Sequence, residues 1–305
     1  MATQQTAWPP LPLEDWVDTK RTLHRYCQVV GKIRMALVPF HNHWWHVTLQ
    51  VDTRGVTTGP MPVGDGRTVE ITFDFVDHRL VICASDGSSQ SFRLAHGLAC
   101  SAFYAQLFAT LHSVGVNVDI HPAPFDLDGP LLSQDHRHDT YDANAVTRFW
   151  HVLSSSGHVL GEFAGWFNGK QSPVQLFWHS FDLALARFSG RRAPTQADMD
   201  RVTAEAYSHE VIAFGFWPGD DKKPYPAFYS YTAPPPDGLT SEPLRPRGAW
   251  WDTAARTAYL RYDDVCNSDA PHDRLLAFLT SAYEAGARLA GWDIDGFATS
   301  AAPGR

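Results

Sequence analysis

The chain carries 305 residues, 44% of them hydrophobic and 19% charged, with a formal charge of −8. That balance describes a folded protein with a sizeable core, not a disordered one. An acidic chain without a Lys/Arg block lacks the basic footprint that nucleic acid or an anionic membrane would require. No apolar run approaches the roughly 20 residues of a membrane helix, and Met1–Pro10 lacks the charged and apolar regions of a secretory signal. The four cysteines show no Cys-x-x-Cys spacing, so we expect free thiols and a cytoplasmic protein.

In chain order, apolar residues first recur at Leu23, Tyr26, Cys27, Val30, Ile33 and Leu37. This spacing predicts a helix over Leu13–Val38, ended by Pro39. From His43 the period falls to two. Trp45, Val47, Leu49 and Val51 then share one face and His46, Thr48, Gln50 and Asp52 the other, which predicts a strand. Val69–Phe75, Arg79–Cys83 and Gln90–Leu94 alternate around turns at Asp77-His78 and Asp86-Gly87, an antiparallel meander. A helix over Cys100–Val114 closes this unit, and Pro122–Asp142, rich in Pro, Asp and Gly, reads as a connector. There follow a helix over Ala143–Phe167, a strand carrying Trp178-His179, and a helix capped by Thr195 and ending near Ser208. Strands at Val211–Trp217 and Ala227–Thr232 come next. An extended segment at Trp250–Tyr262 and an amphipathic helix over Pro271–Trp292 complete the chain.

Two stretches look alike. Asn42-His43-Trp44-Trp45-His46 and Leu176-Phe177-Trp178-His179 each put an aromatic pair before a histidine, with an arginine eight residues later at Arg54 and Arg187. With the matched order of elements, this points to an α+β fold made of a duplicated helix–antiparallel sheet–helix unit. The halves would be 1–121 and 143–305, joined by a connector at 122–142 into one compact unit. A pseudo-twofold axis would then bring His46 and His179 to a central cleft.

Asn42-His43-Trp44-Trp45-His46, Ser180-Phe181-Asp182-Leu183-Ala184, Arg187-Phe188-Ser189-Gly190-Arg191, Tyr207-Ser208-His209-Glu210 and Gly215-Phe216-Trp217-Pro218 resemble an uncharacterised bacterial domain-of-unknown-function family. The resemblance spans nearly the whole chain. It implies a single full-length domain and carries no activity with it.

The candidate chemistry therefore rests on residue types. Fifteen histidines, eleven tryptophans and eighteen phenylalanines accompany only five lysines, the composition of apolar pockets with a few polar groups and equally of a well-filled core. His46, His179, His209 and Glu210 are the candidates for proton transfer, since imidazole titrates near neutrality and a carboxylate can orient it or act itself. Trp44, Trp45, Trp178 and Tyr229 are candidates to contact a planar substrate, and Arg54 and Arg187 to clamp an anion. His43, His46 and His209 form a candidate metal set suited to zinc or iron, without the spacing of a strong signature. Haem held by one histidine is a further option. The sequence has neither Gly-x-x-x-x-Gly-Lys nor Gly-x-Gly-x-x-Gly after a strand, so ATP and nicotinamide chemistry are not expected. The expected function is a small-molecule enzyme with a His/Glu-centred, aromatic-lined cleft. The alternative is a non-catalytic small-ligand binder.

Overall fold

Helix α1, Val17–Leu37, follows a 3-10 turn at Leu13–Asp15 and is buried on almost every side from Leu23 to Ile33. A helix enclosed in this way must satisfy its polar side chains internally. Gln28 brackets Phe125, accepting from its N–H and donating to its carbonyl at 2.8 Å each. Arg25 meets Asp135, itself fully buried, at 3.0 Å and donates to the Asp128 carbonyl. Asp135 also takes His138 Nδ1 at 2.7 Å. The segment 135–139, part of the expected connector, is thus pinned to the central helix by a buried ion pair.

The computed structural model describes residues 7–64, 66–194 and 199–304. Strands β1 (Gln50–Val51), β2 (Gly55–Thr57), β3 (Met61–Pro62), β4 (Thr68–Asp74), β5 (Arg79–Ala84) and β6 (Ser89–Arg93) form one antiparallel sheet. Its order is β1-β2-β4-β5-β6, with β3 also on β4. Helix α2, Cys100–Ser113, packs on β6 and α1. After the connector comes α3, Ala143–Gly165, capped by the Asp142 carboxylate, which accepts from the Asn144 and Ala145 N–H groups.

The second sheet contains β7 (Gln175–Phe177), β8 (Asp182–Arg192), β9 (His209–Trp217), β10 (Ala227–Ala233), β11 (Trp250–Asp252) and β12 (Thr257–Arg261). Its order is β11-β12-β10-β9-β8-β7, antiparallel throughout. Helix α4, Arg201–Ala206, joins β8 to β9, and α5 (Tyr262–Cys266), α6 (Pro271–Leu289) and α7 (Ile294–Phe297) close the chain. Asp200 caps α4; Thr195 lies outside the described residues. The sheets meet where Leu49 and Leu176 exchange two backbone hydrogen bonds of 2.8 Å.

The α+β class is as the sequence indicates. The duplication is a finer statement that these strand orders do not support, and the two look-alike stretches differ in backbone. Asn42–Trp44 is a 3-10 turn with His43 and Trp44 at positive φ, so the strand expected from His43 is corrected: pairing begins only at Leu49. Trp178-His179 likewise sits in the four-residue turn between β7 and β8, not on a strand.

Candidate functional site

Strand parity decides where the second sheet keeps its core. Leu183 and Leu185 on β8 and Ile212, Phe214 and Phe216 on β9 are fully or nearly fully buried, on the side where α3 and α6 pack. The opposite face carries Ala184 and Ala186 on β8 and Ala213 and Gly215 on β9, residues too small to fill the space above them. A cavity of about 380 Å³ lies over that floor, within the size range of small-molecule sites.

Three walls enclose it. From β10, Tyr229 lies across Gly215; a Cβ there would sit 2.5 Å from the Tyr229 hydroxyl, so only glycine leaves room for the ring. The Tyr229 hydroxyl donates to Asp182 Oδ2, and Ser180 donates to Oδ1 of the same carboxylate. Tyr231 stacks beside Tyr229, and its hydroxyl lies 3.0 Å from that of Tyr207. Burial, then the Asp182 charge, pushes the Tyr229 phenol well above its ordinary pKa. Burial also raises Tyr231. Both therefore stay protonated at neutral pH.

The second wall is the β7–β8 turn. His24, fully enclosed in α1, holds its Nε2 at 3.0 Å from the carbonyls of both Trp178 and His179 and stacks on Phe181. The Trp178 indole rests against Gly31, where a Cβ would fall 2.1 Å from the ring. Lys32 and Phe125 continue this wall.

The third wall is the 3-10 turn Asn42–Trp44 with Trp45 after it, docked on α4. The Glu205 carboxylate accepts from the His43 N–H at 3.0 Å, and Trp44 Nε1 donates to the Val202 carbonyl at 3.1 Å. His43 Nδ1 faces the carbonyls of Glu205 and Ala206, which makes it the donor nitrogen. Its Nε2 lone pair then accepts from Lys170 Nζ at 2.7 Å. Three of the six non-glycine residues with positive φ among the described residues, His43, Trp44 and Phe181, flank this cavity. Such backbone costs on the order of 1–3 kcal/mol each and gathers at functional sites.

The candidate residues divide accordingly. Trp44, Trp45, Trp178, His43, His179 and Tyr229 line the cavity. His46 does not; it packs behind the wall against Phe40 and Trp44, its Nδ1 accepting from the His41 N–H. His209 stands beside His43 with ring centroids 5.6 Å apart. Burial lowers the pKa of His43, His46, His179 and His209 alike, keeping all four imidazoles neutral near pH 7.

Glu210, Arg187 and Arg54 stand elsewhere. Glu210 has the opposite parity to Val211 and Ala213, and its Oε2 accepts from Ser189, Arg191 and Trp292. Arg187 alternates with the alanines and so enters the core. There its guanidinium donates to the Phe163 carbonyl and stacks 3.6 Å from the Phe163 centroid and 4.6 Å from that of Tyr283. Arg54 pairs with Asp74 and Asp77 in the first sheet, at 2.7 and 2.6 Å.

The metal expectation for His43, His46 and His209 is not supported. Among the described residues no three His, Cys, Asp or Glu side chains come together to hold an ion, and Lys170 already occupies the free lone pair of His43. What sequence reasoning missed is Asp182, Lys32, Tyr207, Tyr231 and the small-residue floor. The signal was present: Asp182-Leu183-Ala184-Leu185-Ala186 and Ile212-Ala213-Phe214-Gly215-Phe216 alternate bulky with small, not apolar with polar.

The fold and site define an α+β protein with an aromatic-walled hollow over a small-residue sheet face. A family model described as "Family of unknown function (DUF5996)" matches residues 8–299, and the chain belongs to that family. Comparison with curated proteins and with solved structures gives no match.

Proposed function

We propose that this chain is a small-molecule enzyme whose cavity moves a proton on a flat substrate. The observation that carries this reading is the Asp182 carboxylate, bonded to the Tyr229 hydroxyl inside an aromatic-walled cavity. A carboxylate has about four acceptor directions, and among the described residues Ser180 and Tyr229 take two of them. A substrate C–H or O–H can therefore approach Asp182 as its base. The hydroxyl pair of Tyr231 and Tyr207 supplies a hydrogen-bond donor to an oxygen on which negative charge develops. His179, neutral in the same wall, is positioned to relay the proton. Of the expected set His46, His179, His209 and Glu210, this reading keeps His179 and adds Asp182 and Tyr229, and abstraction next to a carbonyl, as in an isomerisation, fits it best. This reading gives no role to zinc, iron or haem.

Among the described residues no helix is long and apolar enough to cross a membrane. Four unpaired cysteines support a reducing, cytoplasmic setting. A second reading, a non-catalytic binder, is favoured by the apolar rings that make up most of the walls.

One experiment separates the two. The protein is incubated in deuterated water with a pooled metabolite extract, and label uptake is read by mass spectrometry. The enzyme reading expects deuterium in at least one compound, with a rate falling about 100-fold or more in Asp182→Asn. A compound that binds yet stays unlabelled, with Asp182→Asn unaffected, supports the binder.

A further inference from the structure

We propose that Lys32 is the anchor for a carboxylate on the cavity's ligand, which is therefore a flat aromatic acid carrying one negative charge. The proposal rests on the cavity being the ligand site, not on the chemistry at Asp182.

Apart from Lys20, the other buried polar side chains of α1 are hydrogen-bonded or ion-paired within the protein. Thr19 accepts from the Asp142 N–H, Thr22 donates to the Asp18 carbonyl, and His24, Arg25 and Gln28 are paired as described. Lys20 feels the charges of Asp220 and Asp221. Lys32 is different. The residue is 8% exposed, it lines the cavity, and its Nζ lies over the Trp178 ring, 5.7 Å from the centroid. Among the described residues it has neither a carboxylate in ion-pair range nor a hydrogen-bond acceptor.

The Lys32 Nζ is not sealed in the core but opens on the cavity, and an ammonium there with no carboxylate beside it can take an anionic ligand. Elsewhere the chain provides the partner: Lys223 meets Asp252 at 2.7 Å. At Lys32 the remaining place for a counter-ion is the cavity itself.

The rest of the lining narrows the class. Trp44, Trp45, Phe177, Trp178 and Phe188 offer faces and edges to a planar apolar body. Asp182 shares the cavity and repels a second negative group, so the ligand's other end is neutral or a hydrogen-bond donor. One acidic group and one flat ring system follow.

The test uses 2-naphthoate and its uncharged match 2-naphthamide, with binding to the full chain measured by calorimetry. Wild type should prefer the acid by about tenfold or more. Lys32→Met should abolish that preference while holding the amide within about threefold, and Lys32→Arg should keep it. Lys32→Met should also fold with an unchanged or higher thermal midpoint, since an apolar isostere relieves the unpaired charge.

Equal affinity for acid and amide in the wild type, or a preference that survives Lys32→Met, overturns the proposal and leaves the cavity as ligand site intact. Failure of both probes to bind at millimolar concentration overturns the two together. A Lys32 imine with an aromatic aldehyde, trapped as the secondary amine by borohydride reduction and combined with no acid preference, would overturn the proposal and recast Lys32 as a nucleophile.

Discussion

Gly31 shows how one missing side chain can position another. The Trp178 indole occupies the volume a Cβ would take, at 2.1 Å, so Gly31→Ala must move the ring or the helix. Overpacking of this kind costs about 1–3 kcal/mol. Gly161, in α3, has nothing within 4 Å of its would-be Cβ, and Gly161→Ala there should instead stabilise by about 0.4–1 kcal/mol. Urea unfolding of the two variants is expected to shift in opposite directions, with altered tryptophan fluorescence in Gly31→Ala alone. Arg187 makes a related point at the same scale. Its charge suggests an anion clamp, but its position on β8 sends it among Phe163, Phe167 and Tyr283, where cation–π contact and a carbonyl replace a substrate.

Strands β8, β9 and β10 act together as the cavity floor. In register, Ala186 faces Ala213, which faces Tyr231, and Ala184 faces Gly215, which faces Tyr229. Each row is small-small-tyrosine, so the phenols lean over the space the small residues leave. Ala213→Leu should fill the hollow. We expect ligand affinity to fall at least tenfold while the thermal midpoint holds or rises, since cavity filling commonly adds about 0.5–2 kcal/mol. A variant that bound normally would move the site elsewhere.

The elements themselves were largely legible. The first helix, the meander and the helices from Cys100, Ala143 and Pro271 follow from period and punctuation. The two Trp-His stretches were not. Their alternation was short, and contacts with α4 on one side and α1 on the other override it, turning one into a 3-10 turn and the other into a hairpin tip.

Across the whole molecule α1 is the member that α2, α3, β3, the connector and the cavity wall all touch, and His24 ties it to the β7–β8 turn. Burial first, then the charge of Lys20, lowers the His24 pKa to about 3 from an ordinary value of 6.5. The unfolded chain therefore takes up the proton first as pH falls. The stability linked to His24 is complete above about pH 6.5, declines from there towards pH 3, and changes no further below that. Its slope approaches about 1.4 kcal/mol per pH unit in the middle of the window. His24→Gln, which keeps a donor and loses the titration, should flatten the fall in urea midpoint between pH 6.5 and 4.5. An unchanged slope would show that His24 is not the group responsible.

The sequence alone determined the α+β class, the positions of the long helices and the meander, and the aromatic, histidine-rich character of the residues around Trp44 and Trp178. Those depend on local periodicity and composition, which act over a few residues. Only the tertiary structure decided that Asp182 rather than Glu210 faces the hollow, that Arg187 is core, and that Lys32 meets no carboxylate among the described residues. Each of these turns on which side of a strand or helix another part of the chain covers, and such coverage is set by packing between segments as much as 150 residues apart.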